Sequence, residues 1–434
     1  MAAVAREGRV DLEAVEHVLR AAVLEAGAKV LDQLLEPVGV GRRETPVLCP
    51  RCRAVMESKG VQAKGVLTLL GWVGFSRSRF VCPRCGATRF PGDEVLGVVD
   101  TSRSPGVQRL EARFGAKETF KEVAEDLHLA AGIEVSAKDA ERVAEDIGEA
   151  VEQWEQRERR EQRRADAGET DGPPLETLYV EFDGTDVPMV PKEVAGRKGK
   201  QPDGSAKTRE VKLGCVFMQT LCDQDGRPVR DRASTSFVGA IETAEAFGWR
   251  LYDEAVRRGL YRARRIVTLS DGAEWAKNLA ETHFPNAIHI IDYYHAAEHV
   301  ARLAKLLYER NPKLLDSQLE RWTTDLYEGR VQNVIDQASA LLPNDPSAMK
   351  DARKEITYLI KNKDRMKYDE YRAEHLFIGS GPIEAGCKHL IGHRLKQSGM
   401  EWTVRGANAI IALRCAILSN RFEDFWEQRL ADAL

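Results

Sequence analysis

Two short knuckles, Cys49-Pro-Arg-Cys52 and Cys82-Pro-Arg-Cys85, constrain this chain more than any other feature. Four thiolates in paired C-x-x-C spacing suit tetrahedral Zn²⁺ with no open position, which is a structural site. The 29 residues between the pairs include VLTLLGWVGFSRSRFVC, whose alternation reads as hairpin strands. Residues 41–105 are therefore expected to form a zinc-ribbon-like module. A redox role would need a thioredoxin-like βαβ frame, and that pattern is absent. Cys215, Cys222, Cys387 and Cys415 are scattered and read as small core residues.

At 434 residues the chain is too long for one hydrophobic core, so several domains are expected. No run of about eighteen apolar residues occurs, and no membrane span is expected. The opening residues carry Arg6, Glu7 and Arg9 without an apolar stretch, unlike a secretory signal, so the expected location is cytoplasmic. The formal charge of −4 argues against a uniformly basic surface. It leaves room for local basic faces, because only charge within about a Debye length of a phosphate matters.

Along the chain, apolar residues at helical spacing from Asp11 to Leu35 predict an N-terminal amphipathic helix within residues 1–40, weakened at Gly27. Residues 106–170 read as a small helical domain. Phe120 to Ala131 is helical, Gly132 breaks it, and Ser136 caps a second helix from Ala137 to Gly148, a helix-turn-helix-like pattern. The polar stretch 152–174 reads as the exposed end of a helix running into a Gly-Pro-Pro linker, with a boundary near 170.

Beyond it the period changes. LYVEF, KLGCVFMQTL, STSFVGAI, RIVTLSD and AIHIID are strand-like, with helical patterns between the later ones, which predicts an α/β layer with a mixed sheet over 171–295. Residues 296–378 are wholly helical, and 379–434 complete the core with helices. In the helical stretch, Trp322 is a candidate for lining a path along a ligand or for packing between helices.

Three carboxylates stand out. Asp183 ends one apolar strand and Asp271 another, each followed by glycine, so both face the crevice where open α/β sheets bind ligands. An Asp after a strand also serves as a turn residue or helix cap. Glu384 follows a Gly-Ser-Gly-Pro entry and opens a helix carrying Lys388, Arg394 and Lys396. Converging carboxylates hold Mg²⁺ or Mn²⁺, and two such ions about 4 Å apart support phosphoryl transfer. In that scheme Asp183 bridges both ions, Asp271 completes one shell and Glu384 the other. Residues 385–421 carry six Lys/Arg against one Glu, a local excess suited to a DNA backbone, with Arg405 among them.

The motifs EFDGTDVP, TLSDGAEW, IIDYYHAAEHV and GSGPIEAGCKHLIGHRLKQSGMEW resemble the ISKra family of insertion-sequence transposases. With the cysteine pairs, the resemblance runs from about residue 45 to 420. It implies a DDE catalytic core of the ribonuclease H-like fold, split by an all-α insertion, with Asp183, Asp271 and Glu384 as the catalytic triad. It implies a prokaryotic, nucleoid-associated enzyme that cleaves double-stranded DNA at element ends and joins the 3′-hydroxyl to target DNA. Action on two ends implies a homo-oligomer on DNA. Asp292 and His295 match a D-x-x-H signature in that core, where His295 orients the aspartate or touches DNA, or where the cluster simply packs. Asp186 is a spare carboxylate, a candidate secondary ligand. The alternatives are a nuclease on the same fold without strand transfer and a non-catalytic DNA-binding regulator.

Overall fold

The computed structural model describes residues 5–6, 9–40, 46–165, 172–308, 311–343 and 345–431. The chain divides into two units, Met1–Gly148 with Phe422–Leu434, and Glu149–Arg421. The boundary thus falls inside a helix rather than near 170, and the last helix joins the first unit.

In the first unit, helix α1 (Leu12–Val40) runs unbroken through Gly27 and Pro37, where a weakening at Gly27 was expected. The glycine has a packing use, since a Cβ there would lie 3.3 Å from Leu70. Strands β1 (Glu57–Thr68) and β2 (Gly71–Val81) form an antiparallel hairpin, to which β3 (Thr88–Arg89) adds. Asp32 and Glu36 of α1 accept backbone N–H groups of Gly74 and Ser76 at 2.6 and 2.8 Å, which satisfies part of the β2 edge.

Helix α2 (Pro105–Gly115) is capped by Ser104, and α3 (Phe120–Asp126) by a reciprocal Thr119–Glu122 box. A π turn over Leu127–Ala131 then leads into left-handed Gly132. Helix α4 (Ala137–Ala165) starts at Ser136, whose hydroxyl accepts the Asp139 N–H at 3.0 Å. It does not stop at Gly148, because one interior glycine costs only about 1 kcal/mol against alanine. Nor is its second half merely a solvent face. Trp154, Glu155 and Arg159 are buried, and Arg159 pairs with Glu155 at 3.1 Å.

The second unit is built on a six-stranded mixed sheet. Its strands are β4 (Leu175–Pro188), β5 (Thr208–Cys222), β6 (Pro228–Arg230), β7 (Ser236–Ala240), β8 (Ala263–Ser270) and β9 (Ile288–Ile291). The order is β9-β8-β4-β5-β6, with β7 also on β5. β4 is parallel to β8, and β8 to β9, whereas β4–β5 and β5–β7 are antiparallel. The short β6, which returns on the end of β5, is the strand that sequence periodicity missed.

Strand β4 is central and covered on both faces, which is why LYVEF is almost uninterrupted in apolarity. Its even-numbered residues Leu178, Val180 and Phe182 join a core with Phe247 and Leu251 of α5 (Ala244–Arg257) and Ala276 and Leu279 of α6 (Glu274–His283). Five helices follow β9: α7 (Tyr293–Tyr308), α8 (Pro312–Tyr327), α9 (Val331–Ala340), α10 (Pro346–Asn362) and α11 (Tyr368–Ala373). Trp322 is fully buried and donates to Gln337 at 3.0 Å, so it packs this helical segment internally. Two tyrosines anchor the segment on strand ends: Tyr358 donates to the Asp271 carbonyl at 2.8 Å and Tyr368 to the Ile291 carbonyl at 3.0 Å. Helices α12 (Gly381–Gly386) and α13 (Val404–Leu418) close the unit, and α13 lies on β7, where Phe237 and Ile241 donate backbone N–H groups to Ser419 and Asn408.

Candidate active site and the cysteine cluster

Register brings the three aspartates to one level of the sheet. In the parallel pair β4–β8, Leu269 lies opposite Glu181, and two residues further along Asp271 reaches the level of Asp183. In β8–β9, Ser270 lies opposite Ile291, and one residue further Asp271 reaches the level of Asp292. Residues paired in this way share a face, and neighbouring strands lie about 4.8 Å apart. Asp183 lies inside β4 rather than at its end as the sequence suggested, because the strand continues to Pro188, and it stands level with Asp271 and Asp292, which directly follow the carboxyl ends of β8 and β9.

The odd-numbered face of β4 meets the segment that carries Glu384. Tyr179 accepts the Phe377 N–H at 3.1 Å, Glu181 accepts the Ile383 N–H at 3.1 Å, and the Cys387 thiol points at Asp183 Oδ2 from 3.7 Å. Asp292 holds the same segment from the next strand end, accepting the Ser380 N–H at 2.5 Å and the His295 N–H at 2.6 Å. Glu181 and Asp292 thus satisfy backbone donors where α12 begins, which otherwise lack partners. Gly386 allows the close approach of α12 to the sheet, because a Cβ would lie 3.0 Å from Leu213 and Phe237. Directly after α12 the helix loosens into a π turn, Cys387–Gly392, a feature often found at functional sites.

The electrostatics follow from this crowding. Burial, with Asp271 nearby, holds the Asp183 carboxyl above its usual range. Burial and Asp292 do the same to Glu384. Glu181, fully buried, is pushed furthest, again by burial. His295 lies close enough to lower both Asp183 and Glu384. Its Nε2 is 3.3 Å from Nε2 of His299, whose Nδ1 is 2.5 Å from Glu355 while its ring stacks on Tyr358 at 3.5 Å. Asp271 Oδ1 accepts the Ala273 N–H at 2.9 Å, so this residue also serves the turn role weighed from sequence.

Several expected contributors sit elsewhere. Asp186 is exposed, and three residues from Asp183 along a regular strand it points to the opposite face. Both oxygens of Asp292 are taken by backbone N–H groups, which makes it a positioning residue for α7 and α12. Arg394 is completely buried, its guanidinium 5.0 Å over Trp402, so it does not present charge to a DNA backbone. Arg405 is exposed but ion-paired with Glu149. Arg414 donates to the carbonyls of His389 and Leu390, where the π turn leaves acceptors. Lys388 and Lys396 are exposed, and Lys396 donates to Thr185 at 2.6 Å, two residues from Asp183.

Sequence reasoning missed Glu181, His299, Glu355 and Cys387. Glu181 had a readable signal: an acid inside an otherwise apolar strand is almost never buried without a task.

The cysteines form the same turn twice. The N–H of Arg53 donates to Cys49 O and that of Gly86 to Cys82 O, with both donors left-handed at φ 62° and 70°. The Sγ atoms of Cys49 and Cys85 are 3.5 Å apart, as are those of Cys52 and Cys82, and Cys52 to Cys85 is 3.7 Å. All four lie within 4.8 Å of one another, and among the described residues this is the metal-ligand group that meets that spacing. The N–H of Cys52 draws the Cys49 thiol down to about 6. A tetrahedron with Zn–S of about 2.3 Å has edges near 3.8 Å, so this quartet can bind zinc.

Fold and site together define a mixed α/β protein with a row of carboxylates across its sheet and a four-cysteine cluster. A Streptococcus gallolyticus protein described as "UPF0236 protein in vanSb 3′region" is 23% identical over 378 residues, covering 84% of this chain and 75% of that protein. Among solved structures, the Drosophila P element transposase strand transfer complex matches 61% of this chain and 68% of its own at 9% identity, with a TM-score of 0.21. No family model matches the chain. Among the described residues, no helix is long and apolar enough to cross a membrane.

Proposed function

We propose that this chain is a DDE transposase of the ISKra kind, acting on double-stranded DNA through a ribonuclease H-like core in which Asp183, Asp271 and Glu384 are catalytic. The observation that carries the reading is the row of Asp183, Asp271 and Asp292 on one face of the sheet, with the Glu384 helix held onto the same face. The strand order, three antiparallel strands continued by two parallel ones, supports the core assignment.

The donor set fits a divalent cation. Asp183 is raised by burial and by Asp271, and Glu384 by burial and by Asp292, so both are short of positive charge, and Mg²⁺ or Mn²⁺ prefers such hard oxygen ligands. A bound pair of ions supplies activation of the attacking oxygen and stabilisation of the leaving one. The chain's own part is to position the carboxylates, whose raised proton affinity a bound cation would offset. Glu181 and Asp292 hold the Glu384 helix in place, and His295 lends positive potential. Lys388 and Lys396 lie on the same helical segment and are suited to the DNA backbone. Zinc at Cys49, Cys52, Cys82 and Cys85 would be structural.

The test is cleavage at element ends in Mg²⁺. Wild-type rates from Asp183→Asn, Asp271→Asn and Glu384→Gln would overturn the reading. Capture of joined product on a target plasmid separates a transposase from a nuclease, and DNA binding without cleavage points to a regulator.

A further inference from the structure

A second polar cavity adjoins the carboxylate crevice. It has a volume of about 630 Å³, within the usual range for ligand sites. Its walls come from the turn after β8 and from α6 on one side, and from α10 with the turn that follows it on the other. Four cations line it, Lys277, Lys354, Lys361 and Arg365, with Glu274 as the acid in the lining.

The spacing of Lys354, Tyr358, Lys361 and Arg365 places them on one helical face. The apolar stripe of α10, Ala352, Ile356 and Leu359, lies on another face and packs the helical segment. The basic face is therefore surplus to core packing. Lys277 has Glu281 as a partner at 3.8 Å, and Arg365 donates to the neutral Asn362 side chain. Lys354 and Lys361 are exposed. Burial pulls Arg365 below its ordinary range, against the opposing pull of Glu281 and Glu274, so this cation of the cavity wall is held where its charge is poorly solvated. An anion would relieve that cost.

The cavity is coupled to the carboxylates by short links. Tyr358 lines it and donates to the Asp271 carbonyl. Gly272, the residue after Asp271, lines it too, at φ +81°. A Cβ there would lie 2.9 Å from Ile291 and 3.3 Å from both Tyr358 and Asn362. That glycine lets the backbone beside Asp271 approach Tyr358 and Asn362 closely.

We infer that this cavity binds phosphate groups of the DNA strand that passes through the carboxylate crevice. The inference rests on the DNA-processing reading of that crevice. Ammonium groups on flexible stems make point-charge contacts to phosphate, without base readout, so binding here is independent of sequence.

The experiment measures affinity of the full chain for a short labelled duplex of arbitrary sequence, in EDTA, over a range of salt. Lys354→Ala/Lys361→Ala should weaken binding by roughly tenfold or more and lower the slope of log K against log salt by about two. Lys350→Ala/Arg353→Ala removes equal charge from the same helix outside the cavity and should leave the slope close to that of wild type. Unchanged slope in the first variant, or equal loss in both, overturns the inference. So does protection of Lys354 and Lys361 from amine labelling by orthophosphate but not by duplex, which would mark a small-anion site. Asp183→Asn is read in the same binding assay and, separately, for end cleavage in Mg²⁺. If it keeps both affinity and cleavage, the catalytic reading fails while the cavity result stands on its own.

Discussion

The cysteine quartet and the carboxylate row are both suited to cations, yet they are built on different scales. The quartet draws its ligands from two copies of one turn, at the two ends of a single hairpin. Its sulfurs already stand 3.5–3.7 Å apart. The carboxylates come from two parallel strands and a helix that arrives 201 residues after Asp183. Their spacing depends on sheet register and on two further buried acids, Glu181 and Asp292, that hold the helix. A local site can double as a fold staple, whereas a long-range site is only as good as the fold beneath it. The first should fail by unfolding and the second by losing chemistry.

The largest expected effect lies on the carboxylate side. Asp183→Asn or Glu384→Gln should lower end cleavage by more than the ~10–100-fold typical of outer-shell changes at metal sites. The melting temperature without metal should hold or rise, because each change removes a charge that its surroundings disfavour. A cleavage defect that tracks a lost melting transition would break the contrast. Next in size is the cysteine side. Cys52→Ser, or a strong chelator, should abolish protease resistance of residues 46–100, since structural zinc binding is coupled directly to folding. The sheet of the second unit should keep its protection from hydrogen exchange. Loss of protection throughout would mean that the two sites are not energetically separate.

The same difference of scale governs what could be read from sequence. The knuckles carry their geometry in the residues C-P-R-C, so ligands and coordination were legible at once. The five main strands were legible from LYVEF and its successors, because apolar runs of that length have few other uses. Asp183 and Asp271 followed from the ends of those runs. The roles of Glu181 and Asp292 were not legible, because neither strand register nor the path of Phe377–Cys387 along β4 is encoded locally. Arg394 was misread for the complementary reason. A basic residue near the Glu384 helix looks solvent-facing in sequence, and only packing reveals that Trp402 and Met400 enclose it. The extent of α4 was also underestimated, since Gly148 is a weak stop signal in a helix that buries Trp154, Glu155 and Arg159.

A third prediction uses pH. Burial raises the folded-state proton affinity of Asp183 and Glu384 above the ordinary carboxylate range. A raised carboxyl stabilises the metal-free fold fully below the unfolded value, and that contribution is lost as pH rises through the folded value. Mg²⁺ binds the deprotonated groups, so its stabilising effect should grow over the same interval. The melting shift caused by Mg²⁺ should therefore be small near about pH 4 and increase towards about pH 7. In Asp183→Asn/Glu384→Gln that dependence should flatten. A shift of equal size at both ends of the range would mean that magnesium acts at another site.

The smallest expected effect gives the finest discrimination. Asp186 is chemically the same as Asp183 and lies three residues away, so a reading based on acid content alone would count them together. Strand β4 keeps regular register with β5 through both positions, Asp183 opposite Leu213 and Asp186 opposite Glu210. An odd separation along a strand reverses the face. Asp186→Asn should accordingly change cleavage by less than about twofold and stability by less than about 0.5 kcal/mol, as for an ordinary surface substitution. A loss comparable to that of Asp183→Asn would require β4 to shift or bulge between the two residues when DNA and metal bind. It would move Asp186 into the catalytic set and make the long-range site adjustable in register, which the hairpin-bound cysteine quartet is not.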